Sequence, residues 1–251
     1  MTAQQTTTTQ SNPDESRAET DLRILSIDIG GTGLKAALLN GEGELLSERV
    51  RVETPHPTTR EDLVGALTRL VEPLKGFDCV SVGFPGVVRN GKIITAPNLG
   101  TEELGGFDLA DVLRERLGTP VRVINDADMQ GCGAIEGKGL EMVITLGTGF
   151  GSALFMDGRL APHLEIAHLP FIKGKDYDQV VGDKARKKIG KKRWNRRVQQ
   201  AIDTLRGLTH FDTLYIGGGN ASRISLELTP DVRIISNEAG LKGGAWLWKD
   251  R

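Results

Sequence analysis

Ile27-Asp28-Ile29-Gly30-Gly31-Thr32-Gly33-Leu34-Lys35 and Ile144-Thr145-Leu146-Gly147-Thr148-Gly149-Phe150-Gly151 share one design in two halves of the chain. Each sets a glycine turn between two apolar runs, with residues 34–39 following the first turn and residues 152–156 the second. Each second run ends in a polar turn, Asn40-Gly41-Glu42-Gly43 or Asp157-Gly158-Arg159. Strand, glycine turn, strand and hairpin turn thus occur twice, and repetition of this kind reports architecture before any single motif does. Glycine admits positive φ and lets backbone N–H groups approach an anion closely. Two such turns facing each other would hold a phosphate chain between them.

Working outward, residues 22–29 read as a first strand, with 34–39 and 45–52 as the second and third. Residues 58–74 place Leu63, Leu67, Leu70, Val71 and Leu74 at the spacing of an amphipathic helix. A buried strand over 78–84 ends at Pro85-Gly86; a helix over 109–117 and a strand over 120–124 follow. The second half begins again with strands at 142–146 and 152–156. A helix over 194–208 puts Trp194, Val198, Ile202 and Leu205 on one face. A strand over 213–216 runs into Gly217-Gly218-Gly219, then come a strand at 232–235 and a closing helix at 240–248. The alternation predicts an α/β protein with sites at strand ends. Two similar halves predict lobes at 22–124 and 125–251 with a cleft between them, the closing helix being a candidate to return to the first lobe. Residues 1–21, rich in Thr, Gln, Ser and acids, read as a disordered polar tail; they lack the basic start and apolar core of a secretory signal.

The chain has 251 residues, 38% hydrophobic and 26% charged, enough for one large domain or two ordinary ones. A formal net charge of -1 excludes a general polyanion binder, so any basic patch must be local. No stretch is long and apolar enough to span a bilayer, and a cytoplasmic protein is expected. Cys79 and Cys132 have no metal-type spacing and read as buried thiols of a reducing compartment.

Six motifs stand in fixed order: Asp28-Ile29-Gly30-Gly31-Thr32-Gly33-Leu34-Lys35, Gly83-Phe84-Pro85-Gly86, Ala96-Pro97-Asn98-Leu99, Asn125-Asp126-Ala127-Asp128, Leu146-Gly147-Thr148-Gly149 and Glu165-Ile166-Ala167-His168. On these the chain resembles the ROK sugar kinases, from about residue 22 to its end. The resemblance implies an actin-like, hexokinase-type fold of two ribonuclease-H-like lobes. Within that family the likeness is to the polyphosphate glucokinases. It rests on the basic stretch 184–197, on Tyr215-Ile216-Gly217-Gly218-Gly219-Asn220-Ala221, and on the short length. One departure stands out. Many ROK proteins follow Glu-x-x-His with a cysteine-rich zinc motif, but here Leu169-Pro170-Phe171-Ile172-Lys173-Gly174 follows His168, so no zinc is expected. ROK repressors carry a helix-turn-helix before the sugar-binding part, and the tail here is too polar to be one.

Phosphoryl transfer needs a positioned acceptor hydroxyl, charge neutralisation on the donor, and a base. The first turn offers backbone N–H groups from Gly30, Gly31, Thr32 and Gly33. The resemblance makes Asp28 the carboxylate that orients Mg²⁺, through water. Lys35 either neutralises phosphate or points outward from its strand. Thr148 and Gly149, with Gly147, form the second half of the clamp. Gly218 and Gly219 read equally as a nucleotide contact and as a turn that needs positive φ. Asn125-Asp126 alone reads as a helix cap; the resemblance makes Asp126 the general base and Asn125 a ligand of sugar hydroxyls. Asp128 is read as a first-turn acid favoured by the helix dipole. Asn98, Glu165 and His168 complete the implied sugar site, with Gly86 allowing close backbone approach. Glu165 and His168 as a metal pair lack an evident third ligand.

Lys184, Arg186, Lys187, Lys188, Lys191, Lys192, Arg193, Arg196 and Arg197 have no acid among them. They suit a track for polyphosphate beyond its reacting end, against the alternatives of a solvated helix face or a nucleic-acid patch. The expected protein is a homodimeric glucokinase that uses polyphosphate, and ATP as a further donor, with Mg²⁺, and binds neither membrane nor nucleic acid. An ATP-dependent ROK hexokinase with another acceptor and a non-enzymatic sugar sensor are the alternatives. A dinucleotide-binding oxidoreductase is disfavoured, since Gly30-Gly31-Thr32-Gly33 lacks the Gly-x-Gly-x-x-Gly spacing and a strand is expected to follow.

Overall fold

The computed structural model describes residues 22–236 and 239–249; the polar tail expected at 1–21 lies outside the described residues. The first sheet is built from β1 (Ile24–Ile29), β2 (Gly33–Leu39), β3 (Val50–Glu53), β4 (Cys79–Phe84) and, after the small hairpin of β5 (Val88–Arg89) and β6 (Lys92–Ile93), β7 (Val121–Asn125). The second contains β8 (Leu140–Leu146), β9 (Phe150–Met156), β10 (Arg159–Leu160), β13 (Thr213–Gly217) and β14 (Val232–Ile234), with β11 (Pro170–Ile172) and β12 (Lys175–Asp176) as a separate hairpin. Strand order is β3-β2-β1-β4-β7 in one sheet and β10-β9-β8-β13-β14 in the other, the same path walked twice. In both, the first two pairings are antiparallel and the last two parallel. The duplicated glycine motif therefore marks a duplicated sheet, the actin-like, hexokinase-type fold. Because β2 runs antiparallel to β1 straight after the first turn, the βαβ unit of a dinucleotide fold is excluded.

Alternation in β1 sorts the two faces of the first sheet. Leu25, Ile27 and Ile29 are fully buried with Leu34 and Ala36 in one core, each large aliphatic contributing roughly 1.5–3 kcal/mol. Helix α1 (Arg60–Val71) covers this face with Leu63, Ala66, Leu67 and Leu70. It starts where the Thr59 hydroxyl accepts from the Asp62 N–H, and Pro73 follows its end. The short α2 (Thr101–Leu104) and then α3 (Leu109–Leu117) follow, α3 closing on Gly118 at φ 69°. The second sheet is covered by α5 (Tyr177–Val181), α6 (Asp183–Ile189) and α7 (Lys191–Thr209). In α7, Trp194, Val198, Ala201, Ile202 and Leu205 form the buried stripe, and the Trp194 indole N–H donates to the Val181 carbonyl at 2.7 Å.

Between the sheets lies α4 (Asp126–Cys132), buried from Ala127 to Cys132 and touching β4 on one side and β8 and β9 on the other. The chain's last segment packs against it. The closing helix expected at 240–248 is α-helical only over α8 (Ala239–Lys242) and then tightens to a 3₁₀-helix over Gly243–Trp248. The reason is contact with the first sheet: Ser26 and Ser81 hydroxyls donate to the Leu241 and Gly244 carbonyls, both at 2.7 Å, and the Trp248 indole donates to Ser81 at 2.8 Å. The third strand is shorter than expected, starting at Val50. Leu45 holds only an isolated bridge to Leu39, while Leu46 is half-exposed.

A Cβ at Gly243 would lie 1.7 Å from the Met129 carbonyl oxygen, backbone against backbone, so Gly243→Ala must push the closing segment off α4. We expect a loss of about 3 kcal/mol in denaturant unfolding; an unchanged midpoint would show that this packing is not tight.

Candidate active site

A cleft of about 300 Å³ separates the sheets. Its walls include Asp28, Gly30, Gly31 and Thr32 of the first turn, Gly147, Thr148 and Gly149 of the second, and Gly218 of the third cluster. Gly86, Asn98, Asn125, Asp126, Glu165 and His168 line it too. Each turn is closed by its own backbone: Gly30 N–H donates to the Gly33 carbonyl at 3.1 Å, Gly147 N–H to the Gly149 carbonyl at 3.0 Å. The first turn's carbonyls are taken from outside, Gly30 by the Thr54 hydroxyl at 2.6 Å and Gly31 by the His56 ring Nε2 at 2.9 Å. The second turn is held from beneath. Gly147 O accepts from Asp183 N–H and from the Asn220 amide, both at 3.0 Å, and Asp178 accepts from Phe150 N–H at 2.6 Å. Gly218, at φ 84°, would put a Cβ 2.5 Å from the Leu146 carbonyl oxygen, so glycine is required there twice over. Gly86 leaves only 2.1 Å between such a Cβ and Thr95 O.

Asp126 opens α4 directly at the end of β7. Asn125 is the helix cap: its Oδ1 accepts from Ala127 and Asp128 N–H, and its Nδ2 donates to Gly86 O at 3.0 Å. Burial and then the negative charge of Asp28 push the Asp126 carboxyl up to about 7, and Asp128 and Glu165 add to the rise. The residue still opens on the cleft, so water screens part of this charge.

A family model described as "ROK family" matches residues 24–165. The chain belongs to the ROK family. It is 28% identical to a polyphosphate glucokinase of Mycobacterium tuberculosis, over 94% of this chain and 96% of that one. It superimposes on an inorganic polyphosphate/ATP-glucomannokinase of Arthrobacter sp. strain KM with a TM-score of 0.81 at 34% identity, covering 90% of this chain and 97% of the other. A ROK glucokinase of Streptomyces griseus, in complex with glucose and AMPPNP, shares the fold at a TM-score of 0.76 and 21% identity, covering 90% and 98%.

Some residues read from the ROK motifs stand apart from the cleft wall. Gly33 faces away, where a Cβ would meet the Arg51 guanidinium at 2.7 Å. Lys35 turns back to Asp28, Nζ 3.2 Å from Oδ2, and is about half exposed. Gly219 continues the turn beyond Gly218 and does not line the cleft. Asn125, read as a sugar ligand, has its oxygen taken up by the cap and one amide hydrogen by Gly86. Asp128, read as a first-turn acid, does stand in the first turn of α4, and it is buried there with its Oδ2 3.0 Å from His163 Nδ1.

The basic stretch begins at the clamp itself, since the Asp183 N–H that starts α6 donates to Gly147 O. Lys184, Lys187, Lys188, Lys191, Lys192, Arg193 and Arg196 are exposed along α6 and α7. Asp183, just before the stretch, pairs with Lys187 at 2.6 Å and Arg186 at 2.7 Å, and these two hold its carboxyl down at about 2. Arg197 is half-buried, its Nη1 3.4 Å from Val180 O. The cation row is therefore thinner at Arg186, Lys187 and Arg197 than the sequence suggests. Asp178, Gln130 and His163 line the cleft without belonging to any motif read from the sequence.

Asp126 holds its proton more tightly folded (about 7) than at its ordinary value of 3.8, so its ionised form opposes folding. That cost is absent below about pH 4 and grows as pH rises toward about 7. Asp126→Asn should therefore raise the denaturation midpoint at pH 8, with the gain shrinking toward pH 4; a gain independent of pH would contradict the assignment.

Proposed function

We propose that this ROK-family protein is a kinase that transfers the terminal phosphoryl group of inorganic polyphosphate, with ATP as a second donor, to the 6-hydroxyl of glucose. The observation that carries this is the position of Asp126. It lines the same cleft as Gly86, Asn98, Glu165 and His168, read as the sugar site, and as the two glycine turns, read as the donor site. A carboxylate with a pKa near neutrality suits a general base. Asp126 accepts the 6-hydroxyl proton while that oxygen attacks the terminal phosphorus. The bond from phosphorus to the bridging oxygen breaks, and the shortened polyphosphate or ADP leaves. Asn98, Glu165 and His168 pair with the other hydroxyls, and leaving any of these unpaired in a dry site is costly. Gly30 and Gly147 spend their N–H groups on closing the turns, and the N–H groups of Gly31, Thr32, Thr148 and Gly149 are the ones left to meet the donor.

Asp28 fits Mg²⁺ held through water. It offers one carboxylate to the cleft, and among the described residues no group of three or more His, Cys, Asp or Glu is set to cage a metal. When bound, the ion neutralises charge on the donor phosphates. Zinc has no place in this reading, and Cys79 and Cys132 are buried, in keeping with a reducing cytoplasm. Among the described residues no helix is long and apolar enough to cross a membrane. Polyphosphate as donor is supported by α6 starting at the second turn and carrying cations away from it, and by the names of the Mycobacterium and Arthrobacter relatives. The glucomannokinase name makes mannose the natural second acceptor to assay. The family resemblance favours a homodimer.

A coupled assay of glucose 6-phosphate, run with polyphosphate and ATP side by side, tests the reading; no product from either donor would reject it. Asp126→Asn should lower kcat by about 10²–10⁴-fold with the fold intact, and parental kcat/KM should fall below about pH 7 as Asp126 takes up a proton. Near-normal turnover of the folded variant would show the base to be another group. Neutralising Lys191, Lys192 and Arg193 together should raise KM for long polyphosphate far more than KM for ATP. Equal effects on both donors would reject the track.

A further inference from the structure

His163 stands two residues before Glu165, on the loop after β10, outside every motif of the sequence. Its ring bridges two elements. Nδ1 lies 3.0 Å from Asp128 Oδ2 on α4, and Nε2 lies 3.7 Å from Glu165 Oε2. The imidazole and the Asp128 carboxylate are almost wholly shielded, with side chains 10% and 5% exposed, whereas Glu165 at 29% opens on the cleft. His163 Nε2 is buried and has no hydrogen-bond partner. A buried ring nitrogen left unpaired is costly. The Glu165 carboxylate faces it from a few tenths of an ångström beyond bonding range, and catalytic-site hydrogen bonds are often that long before ligand binds. Burial alone would pull the imidazolium's pKa down. The bond to Asp128, the contact with Glu165 and the charges of both outweigh it, lifting His163 to about 9. Both ring nitrogens then carry hydrogen at neutral pH.

We propose that His163 is a positioning residue of the sugar site: Asp128 fixes its ring through Nδ1, and its Nε2–H holds the Glu165 carboxylate in place, aimed at the sugar hydroxyls. This rests on reading the cleft as a hexose site. Because Nε2 is shielded from the cleft, His163 acts through Glu165 and does not touch sugar. Asp128 belongs to the same helix as Asp126, so the ring also ties the base's helix to the sugar's carboxylate.

The test compares the parent, His163→Gln, Glu165→Gln and the double variant by glucose calorimetry and by steady-state kinetics with both substrates varied. His163→Gln should weaken glucose binding and raise its KM by about tenfold, while KM for polyphosphate stays within about twofold. The double variant should bind glucose no more weakly than Glu165→Gln alone, since the histidine acts only through that carboxylate. Should His163→Gln fail to fold, Asp128→Asn, which keeps an acceptor for Nδ1 but removes the charge, should show the same selective rise in glucose KM. Unchanged glucose affinity in a folded His163 or Asp128 variant, or penalties that multiply in the double variant, would overturn the role while leaving the kinase reading standing. A parent that neither binds nor phosphorylates glucose would overturn both.

Discussion

The burial of α4 between two twin sheets is the constraint on which the rest depends. A seven-residue helix enclosed by strands of both sheets and by the closing helical segment has little freedom to tilt, and its surroundings are fitted to it at backbone distance. A Cβ at Gly131 would lie 2.5 Å from the Phe155 ring, and one at Gly133 would lie 2.3 Å from the Ala239 carbonyl oxygen. The closing segment then locks the helix against the first sheet through Ser26 and Ser81. Because the helix cannot move independently of either sheet, Asp126 at its first turn keeps a fixed relation to both glycine turns. Asn125, capping the helix and gripping Gly86, extends the same rigidity to the turn that follows β4. Preorganisation of this kind is what phosphoryl transfer asks of a protein that contributes little covalent chemistry.

Electrostatics give the cleft its character. Asp28, Asp126, Glu165 and Asp178 all line it, a negative wall for a pocket proposed to receive a polyanion. Three arrangements offset that wall. Lys35 pairs with Asp28, an imidazolium at His163 sits between Asp128 and Glu165, and the cations of α6 and α7 begin at the second turn. The first two place a cation directly against a carboxylate. Asp126 has no such partner among the described residues, and burial first, then the charge of Asp28, raise its pKa toward neutrality.

Much of this was legible in the sequence, for identifiable reasons. The glycine turns, their flanking strands and the stripe on α7 are local patterns, and the repeat of strand and turn carried over into a repeat of sheet order. Asp28, Asn98, Asp126, Glu165 and His168 met in one cleft because they stand at strand ends or on short loops that a shared fold brings together. What escaped was decided by contacts far apart in sequence. His163 and Asp128 are 35 residues apart, and Asp178 and the Phe150 amide 28. Neither pair has a spacing that a reader could detect. The end of the closing helix depended on serine hydroxyls more than 160 residues away. Asp183, one position before the basic stretch, drew two of its cations into ion pairs that composition alone does not reveal.

The central claim is spatial: a donor lies between the glycine turns with its last phosphorus beside a hexose hydroxyl at Asp126. A crystal structure with glucose and a non-hydrolysable ATP analogue measures this directly. The account predicts the sugar's 6-hydroxyl within hydrogen-bonding distance of Asp126 and about 3–3.5 Å from the terminal phosphorus, with N–H groups of both turns on the phosphates. Glucose bound away from Asp126, or phosphates that touch only one turn, would contradict it.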